Sequence, residues 1–132
     1  MNGSVIESPL GQFESLVSFQ PGDVLFREGE PACGIYLLHS GWVDLLFATR
    51  NGNVKPLRVA RPGQILGLST VMSNHDHDCT AKARTVCQTG FIDGEVLRRL
   101  LDDRPETWFT VLQLLSNDVN AVYGDMYALA AR

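Results

Sequence analysis

The chain has 132 residues, 45% of them hydrophobic and 20% charged, the mix expected of one globular domain. Lys plus Arg is 11 and Asp plus Glu is 15, a net charge of −4, which argues against a surface that grips nucleic acid on its own. The apolar runs are too short for a transmembrane helix, and Met1 to Leu10 has neither the basic start nor the apolar stretch of a signal peptide. The three cysteines, Cys33, Cys79 and Cys87, are widely spaced and form no CxxC. They read as reduced thiols of a cytoplasmic protein rather than ligands of an iron–sulfur or structural zinc site.

In chain order, residues 1–18 read as a lead-in. Pro9 to Ser18 is expected to be a short helix, with Phe13, Leu16 and Val17 on one side. Residues 19–92 read as a β roll. Turn signals punctuate this zone at Pro21-Gly22, Gly29-Glu30-Pro31, Ser40-Gly41, Asn51-Gly52-Asn53 and Pro62-Gly63. Between them lie the predicted strands Val24–Phe26, Ile35–Leu38, Val43–Ala48, Val54–Ala60, Ile65–Leu66 and Thr80–Ile92. Asn51-Gly52 is the strongest hairpin signal, and a type I′ turn there needs positive φ at both residues. Phe19-Gln20-Pro21-Gly22-Asp23-Val24-Leu25 echoes Ala60-Arg61-Pro62-Gly63-Gln64-Ile65-Leu66. Paired hairpins of a jelly roll would produce such an echo, and so would chance.

Residues 93–132 read as helical. Glu95 to Leu101 is expected to form a short helix, and Asp102-Asp103-Arg104-Pro105 to break it. Beyond it Trp108, Leu112, Leu115, Val119, Val122, Met126 and Leu129 step by 4, 3, 4, 3, 4 and 3 residues. That is a heptad seam. A lone helix lying on its own domain would also satisfy it. The strict alternation, with a second column at Leu114, Ala121 and Ala128, favours a homodimer helix. The fold class expected is therefore mainly β with flanking helices: a double-stranded β-helix, or jelly roll, followed by a long dimerisation helix.

The residues from Phe19 onward resemble a known family. Phe19-x-Pro21-Gly22-Asp23-x-Leu25 and Gly29-Glu30-Pro31-Ala32 lead into Ile35-Tyr36-Leu37-Leu38-x-x-Gly41-x-Val43-x-Leu45. Pro62-Gly63-x-Ile65-x-Gly67 and Thr80-Ala81-x-Ala83 follow. The set is similar to the cyclic-nucleotide-binding sensor domain of bacterial Crp/Fnr-type transcription regulators, over about Phe13 to Leu129. In nucleotide-binding members the segment after the Pro-Gly turn is a cassette for the cyclic phosphate. A Gly-Glu-Leu opens it, with Glu accepting from the ribose, and an Arg-Ser/Ala-Ala closes it, with Arg pairing the phosphate. The resemblance places the ligand-binding positions at Gly63, Ile65, Leu66, Gly67, Leu68, Ser69, Cys79, Thr80 and Ala81. Here Leu68 stands at the Glu position, Ser69 at the Leu and Cys79 at the Arg, in a stretch about one residue longer than the cyclic-AMP type. Losing a carboxylate acceptor and a guanidinium fork removes the main charge-assisted contacts to a cyclic nucleotide. Tight binding of cyclic AMP or cyclic GMP is therefore not expected. Strand alternation puts Lys82 and Arg84 opposite Ala81 and Ala83, so they are not expected to replace the missing charge.

His75-Asp76-His77-Asp78-Cys79 is the most metal-like run. A cupin-like enzyme uses His-x-His in a jelly roll, but the Glu and the downstream His of that motif are missing here, and a solvated loop accounts for the run. Haem would need an axial ligand; His39, His75, His77, Met72 and Cys79 are conceivable, with no motif selecting one. No metal or cofactor is predicted, and no catalytic residues are identified. Arg98-Arg99 reads as a solvated helix face. The expected function is a non-catalytic sensor and dimerisation domain with an unidentified small-molecule effector and no membrane partner. DNA would be reached only through a helix-turn-helix domain, for which the sequence up to Arg132 has no pattern. The alternatives are a stand-alone interaction module and, more remotely, a cupin-like metal enzyme.

Overall fold

The structure is a computed structural model, and it describes residues 13–103. Eight strands and two helices follow one another: β1 (Ser15–Phe19), β2 (Val24–Phe26), β3 (Gly34–Ser40), β4 (Val43–Ala48), β5 (Val54–Ala60), β6 (Ile65–Leu66), α1 (Leu68–Ser73), β7 (Thr80–Ala83), β8 (Cys87–Asp93) and α2 (Gly94–Asp103). They make two four-stranded sheets of order β1-β8-β3-β6 and β2-β7-β4-β5, with every pairing antiparallel. This is the expected jelly roll. The heptad residues Trp108 to Leu129 lie outside the described residues.

Alternation decides which side chains fill the roll. Val43, Leu45 and Phe47 of β4 and Ala81 and Ala83 of β7 are buried, while Lys82 is exposed. Val43, Leu45, Ala81 and Ala83 form, with Leu25, Phe26, Leu38, Leu66, Cys79 and Cys87, an inner core contributed by both sheets. The strand β3 is covered on both faces. Its Ile35 and Leu37 join Leu68 and Val71 of α1, Ile92 of β8, and Leu97, Leu100 and Leu101 of α2 in a second, outer core. The α2 positions 97, 100 and 101 have the spacing of one helical face.

The echo between the Pro-Gly segments is structural, and it has a third member. In Gln20–Asp23, Arg27–Glu30 and Arg61–Gln64 the fourth residue's N–H donates to the first residue's carbonyl, at 2.9, 3.1 and 3.2 Å. In each, the fourth residue's side chain accepts from the first residue's N–H: Asp23 Oδ2 at 2.8 Å, Glu30 Oε1 at 3.0 Å and Gln64 Oε1 at 3.0 Å. In each, the third residue is a glycine at φ 92°, 88° or 96°. That glycine donates to a facing residue, Ala83, His77 or Leu38, and the same residue donates back to the fourth carbonyl. The middle turn carries Glu28 where the others carry Pro, which hid it from the sequence comparison.

Four expectations need correction. Ser15–Phe19 is a strand along β8, not the end of a lead-in helix. Phe13, Leu16 and Val17 mimic helical spacing, but Leu16 is 82% exposed and lies in no apolar stripe. The edge of β8 offers five residues hydrogen-bonding partners that an isolated short helix lacks. The predicted strand Thr80–Ile92 is two strands, because the chain crosses from one sheet to the other at Arg84 and Thr85, whose N–H groups both donate to the Trp42 carbonyl. The Asn51-Gly52 hairpin is not type I′. Gly52 has φ 83° but Asn51 is not among the positive-φ residues. Gly52 N–H donates to Thr49 O and Thr49 N–H to Asn53 O, the pattern of a type I turn closed by a glycine bulge. Finally, α1 falls where no helix was expected.

Two glycines separate backbone strain from steric conflict. Gly63 has φ 96° with open space around its missing Cβ, whereas a Cβ on Gly41, at φ 92°, would lie 2.3 Å from the Val86 carbonyl oxygen. Gly63→Ala is expected to cost about 1–2 kcal/mol, the ordinary penalty of a left-handed alanine. Gly41→Ala is expected to cost clearly more, because the β7–β8 crossover must also shift. Urea unfolding of both variants checks the order; equal losses would mean that the crossover yields freely.

Candidate ligand site at the cassette

The segment from β6 through α1 to β7 holds the residues that the resemblance assigns to the cassette. Its path is set by Gly67, which takes φ 87° and turns the chain from β6 into α1. The helix has only six residues, with Ser69, Thr70, Val71 and Ser73 giving it poor intrinsic propensity. Side chains and a cap hold it together. Thr70 Oγ1 donates to Gly67 O at 3.2 Å and Ser73 Oγ to Ser69 O at 2.7 Å. Asn74, left-handed at φ 58°, directs its N–H at the carbonyls of Thr70 and Val71. The Arg98 guanidinium of α2 donates to Val71 O at 2.8 Å. It supplies the cation that the last turn of α1 lacks. Arg98 is thus an inter-helix contact rather than a solvated face, while Arg99 is exposed beside Glu95.

The expected ligand positions divide between the two cores. Leu66, Cys79 and Ala81 lie in the inner core of the roll. Gly67 faces the same side, its missing Cβ 3.4 Å from His77 Cε1 and 3.9 Å from the Phe26 ring. Leu68 packs into the outer core with Ile35, Leu37 and Leu97, and Ile65 lies against that core. Ser69 and Gly63 are exposed. Thr80 accepts the Glu28 N–H at 3.0 Å. Lys82 and Arg84 stand on the outer face as alternation requires, with Arg84 paired to Asp44 at 2.7 Å. Among the described residues the buried polar or charged ones are Thr70, His77 and Thr89. No Lys or Arg is buried with them.

The sequence understated His77. Its ring is stacked on Phe26, centroids 3.9 Å apart and planes 14° apart, and Phe26 in turn stacks on Tyr36. Nδ1 of His77 lies 3.4 Å from Thr70 Oγ1. Burial pushes the imidazole below its ordinary value of 6.5, against the opposite pull of Asp78, Glu30 and Asp76. Burial also holds the Tyr36 phenol above its usual range, with Cys33 acting in the same direction. The signal for His77 was available: the inward alternation of Ala83, Ala81 and Cys79 continues two residues upstream to position 77.

The other metal and haem candidates are dispersed. His75 is exposed, and Met72 lies against the outer core. His39 Nε2 meets Glu14 Oε1 at 2.6 Å, and that carboxylate lies where a Cβ on Gly90 would be. Among the described residues no three His, Cys, Asp or Glu side chains converge on a point that could hold a metal ion.

Residues 16–104 match the family described as the cyclic nucleotide-binding domain. An anaerobic regulatory protein of Pasteurella multocida is 24% identical over 117 residues, covering 86% of this chain and 42% of the relative. A CRP-like cAMP-activated global transcriptional regulator of Mycobacterium tuberculosis is 27% identical over 100 residues, covering 76% of this chain and 45% of the relative. The chain thus spans less than half the length of these curated relatives. Among solved structures, the c-di-GMP-responsive global regulator CLP of Xanthomonas campestris superposes with a TM-score of 0.78 at 18% identity, covering 88% of this chain and 57% of that one. At such identity the superposition speaks for the fold alone. With two-thirds of its length matched and the jelly roll in place, the chain belongs to the cyclic nucleotide-binding domain family, with its resemblance directed to regulators of the Crp/Fnr type.

Proposed function

We propose that this domain is the ligand-sensing and dimerisation part of a Crp/Fnr-type transcription regulator that does not respond to tight binding of cyclic AMP or cyclic GMP. The observation that carries the second half is the absence of any buried Lys or Arg among the described residues. A cyclic phosphate taken out of water needs a cation or several donors to replace its hydration. At the Arg position the roll offers the Cys79 thiol, and at the Glu position Leu68 is turned into the outer core. The effector is therefore a small molecule or redox signal of other chemistry, acting without catalysis.

The mechanism is a population shift between two packings of the roll and the helices that follow it. The heptad residues Trp108, Leu112, Leu115, Val119, Val122, Met126 and Leu129 would carry the change across a homodimer, and DNA would be reached through a helix-turn-helix domain. The relatives named as regulators support this reading.

Two measurements test it. Calorimetry with cyclic AMP is expected to show no saturable binding below about 100 μM, since two missing charged partners cost several kcal/mol; a dissociation constant in the low micromolar range would overturn the effector half. Light scattering is expected to give a dimer that Leu115→Asp reduces to a monomer. A wild-type monomer at high micromolar concentration, or no effect of the substitution on mass, would overturn the dimer half.

A further inference from the structure

His77 is a buried histidine, 6% exposed, whose ring lies against the inner core, and it sits beneath the first turn of α1. One face of its ring lies on Phe26. Its edge faces Gly67 and Thr70. Its backbone is clamped to the third turn copy, with His77 N–H donating to Glu30 O at 2.9 Å and Gly29 N–H to His77 O at 2.7 Å. The ring is therefore a wedge between β2 and the cassette helix, attached to a fixed backbone and movable only about its side-chain torsions.

The hydrogen bonding of this wedge suits one protonation state. With a proton on Nδ1 alone, Nδ1–H donates to Thr70 Oγ1 and the Thr70 hydroxyl donates to Gly67 O, a continuous chain. A second proton puts a net charge on a ring that is 6% exposed and stacked face-on against Phe26, where it loses hydration. The charged groups around the ring are Glu30 from the β2–β3 turn, and Asp76 and Asp78 from its own loop. All three are exposed carboxylates. A protonated ring is therefore disfavoured by burial where it lies and attracted outward by these carboxylates.

We propose that His77 is a proton-responsive positioning residue: neutral, it props α1 against the roll, and protonated, it leaves its seat for the rim carboxylates and releases α1. The change would reach α2 through the Arg98 bond to Val71 O. This adds a proton input to the sensing reading and rests on that reading only for its downstream use. The direction follows from burial, which lowers the His77 value below 6.5 in the propped state. Above that ordinary value the ring is neutral whether seated or released, and the prop is fully present. As pH falls below it, the released ring takes up a proton first, and the propped state loses its advantage.

The test is amide hydrogen exchange at Thr70 and Val71 in the full chain without any effector, corrected for the intrinsic pH dependence of exchange. Side-chain NMR of His77 is recorded alongside. Between pH 7 and pH 5 the protection of these α1 amides is expected to fall at least tenfold as His77 titrates, while β3 and β8 keep theirs. His77→Gln is expected to abolish the pH dependence, and His75→Gln to leave it intact. Should His77→Gln fail to fold, the triple variant Glu30→Gln, Asp76→Asn, Asp78→Asn gives a second test, because losing the outward pull should move the transition to lower pH. Titration of His77 with unchanged α1 protection, a pH response that survives His77→Gln, or no displacement in the triple variant would each overturn the proposal. No effector is used, so failure of the effector half of the function leaves this result interpretable.

Discussion

The antiparallel pair β3–β8 is the constraint on which the rest of the structure hangs. It runs from Gly34 opposite Asp93 to Ser40 opposite Gln88. On one face it presents Leu38 and Cys87 to the inner core, and on the other Ile35, Leu37 and Ile92 to the outer core. Ile35, Leu37, Leu38 and Ile92 are all 0% exposed, and each such side chain contributes roughly 1.5–3 kcal/mol of burial. β1 and β6 are paired onto this pair, and α1 and α2 pack on its outer face. Its first residue must be small: a Cβ on Gly34 would lie 2.4 Å from the Ile92 carbonyl oxygen and from the Phe91 ring. A two-faced strand pair of this kind holds two cores in register, so the cassette is mounted on the rigid part of the molecule.

That mounting accounts for the apolar side chain at position 68. Leu68 begins α1 and is 4% exposed in the outer core, where a carboxylate would be stranded without a partner. A leucine there favours docking of α1 on the sheet. The charges that remain lie elsewhere. Arg84 is tied to Asp44 on the outer face of the second sheet, and Arg98 to the end of α1. Leu68 in the outer core and the Arg98 bond to Val71 O hold the cassette helix on the domain, and His77 lies buried beneath that helix.

The sequence made most of the roll legible because its strands are short and separated by glycine turns. β2, β4, β5 and β6 fall on the predicted residues, each with a turn signal at one or both ends. Where glycine and proline were absent, the reading failed. The β7–β8 crossover at Arg84-Thr85-Val86 is made by hydrogen bonds to the Trp42 carbonyl, a partner about forty residues away that no local pattern announces. β1 failed for a related reason: three apolar residues at helical spacing were read as a face, whereas pairing with β8 decided the conformation. Of the candidate site, glycine positions and the outward direction of Lys82 and Arg84 were legible from motif and alternation. The inward His77 was obscured because its run was read as a polar loop, although its strand-like alternation begins one turn earlier than the strand itself.

α1 was illegible for the reason that makes it suited to change. Six residues cannot pay the nucleation cost of a helix in water, and this one is rich in Ser, Thr and Val. It exists because Leu68 and Val71 reach the outer core, because Asn74 and Arg98 satisfy its terminal carbonyls, and because His77 supports its first turn. An element whose stability comes entirely from its neighbours can be displaced by altering one of them, without disturbing the β3–β8 pair beneath it. Arg98 lies on α2, which is packed on that same pair and leads toward the heptad residues. A local change at α1 therefore reaches α2 directly through the Arg98 bond to Val71 O. The division is between a sheet pair whose side chains are buried on both faces and a short helix held by its neighbours, the two parts that the proposed sensing role requires.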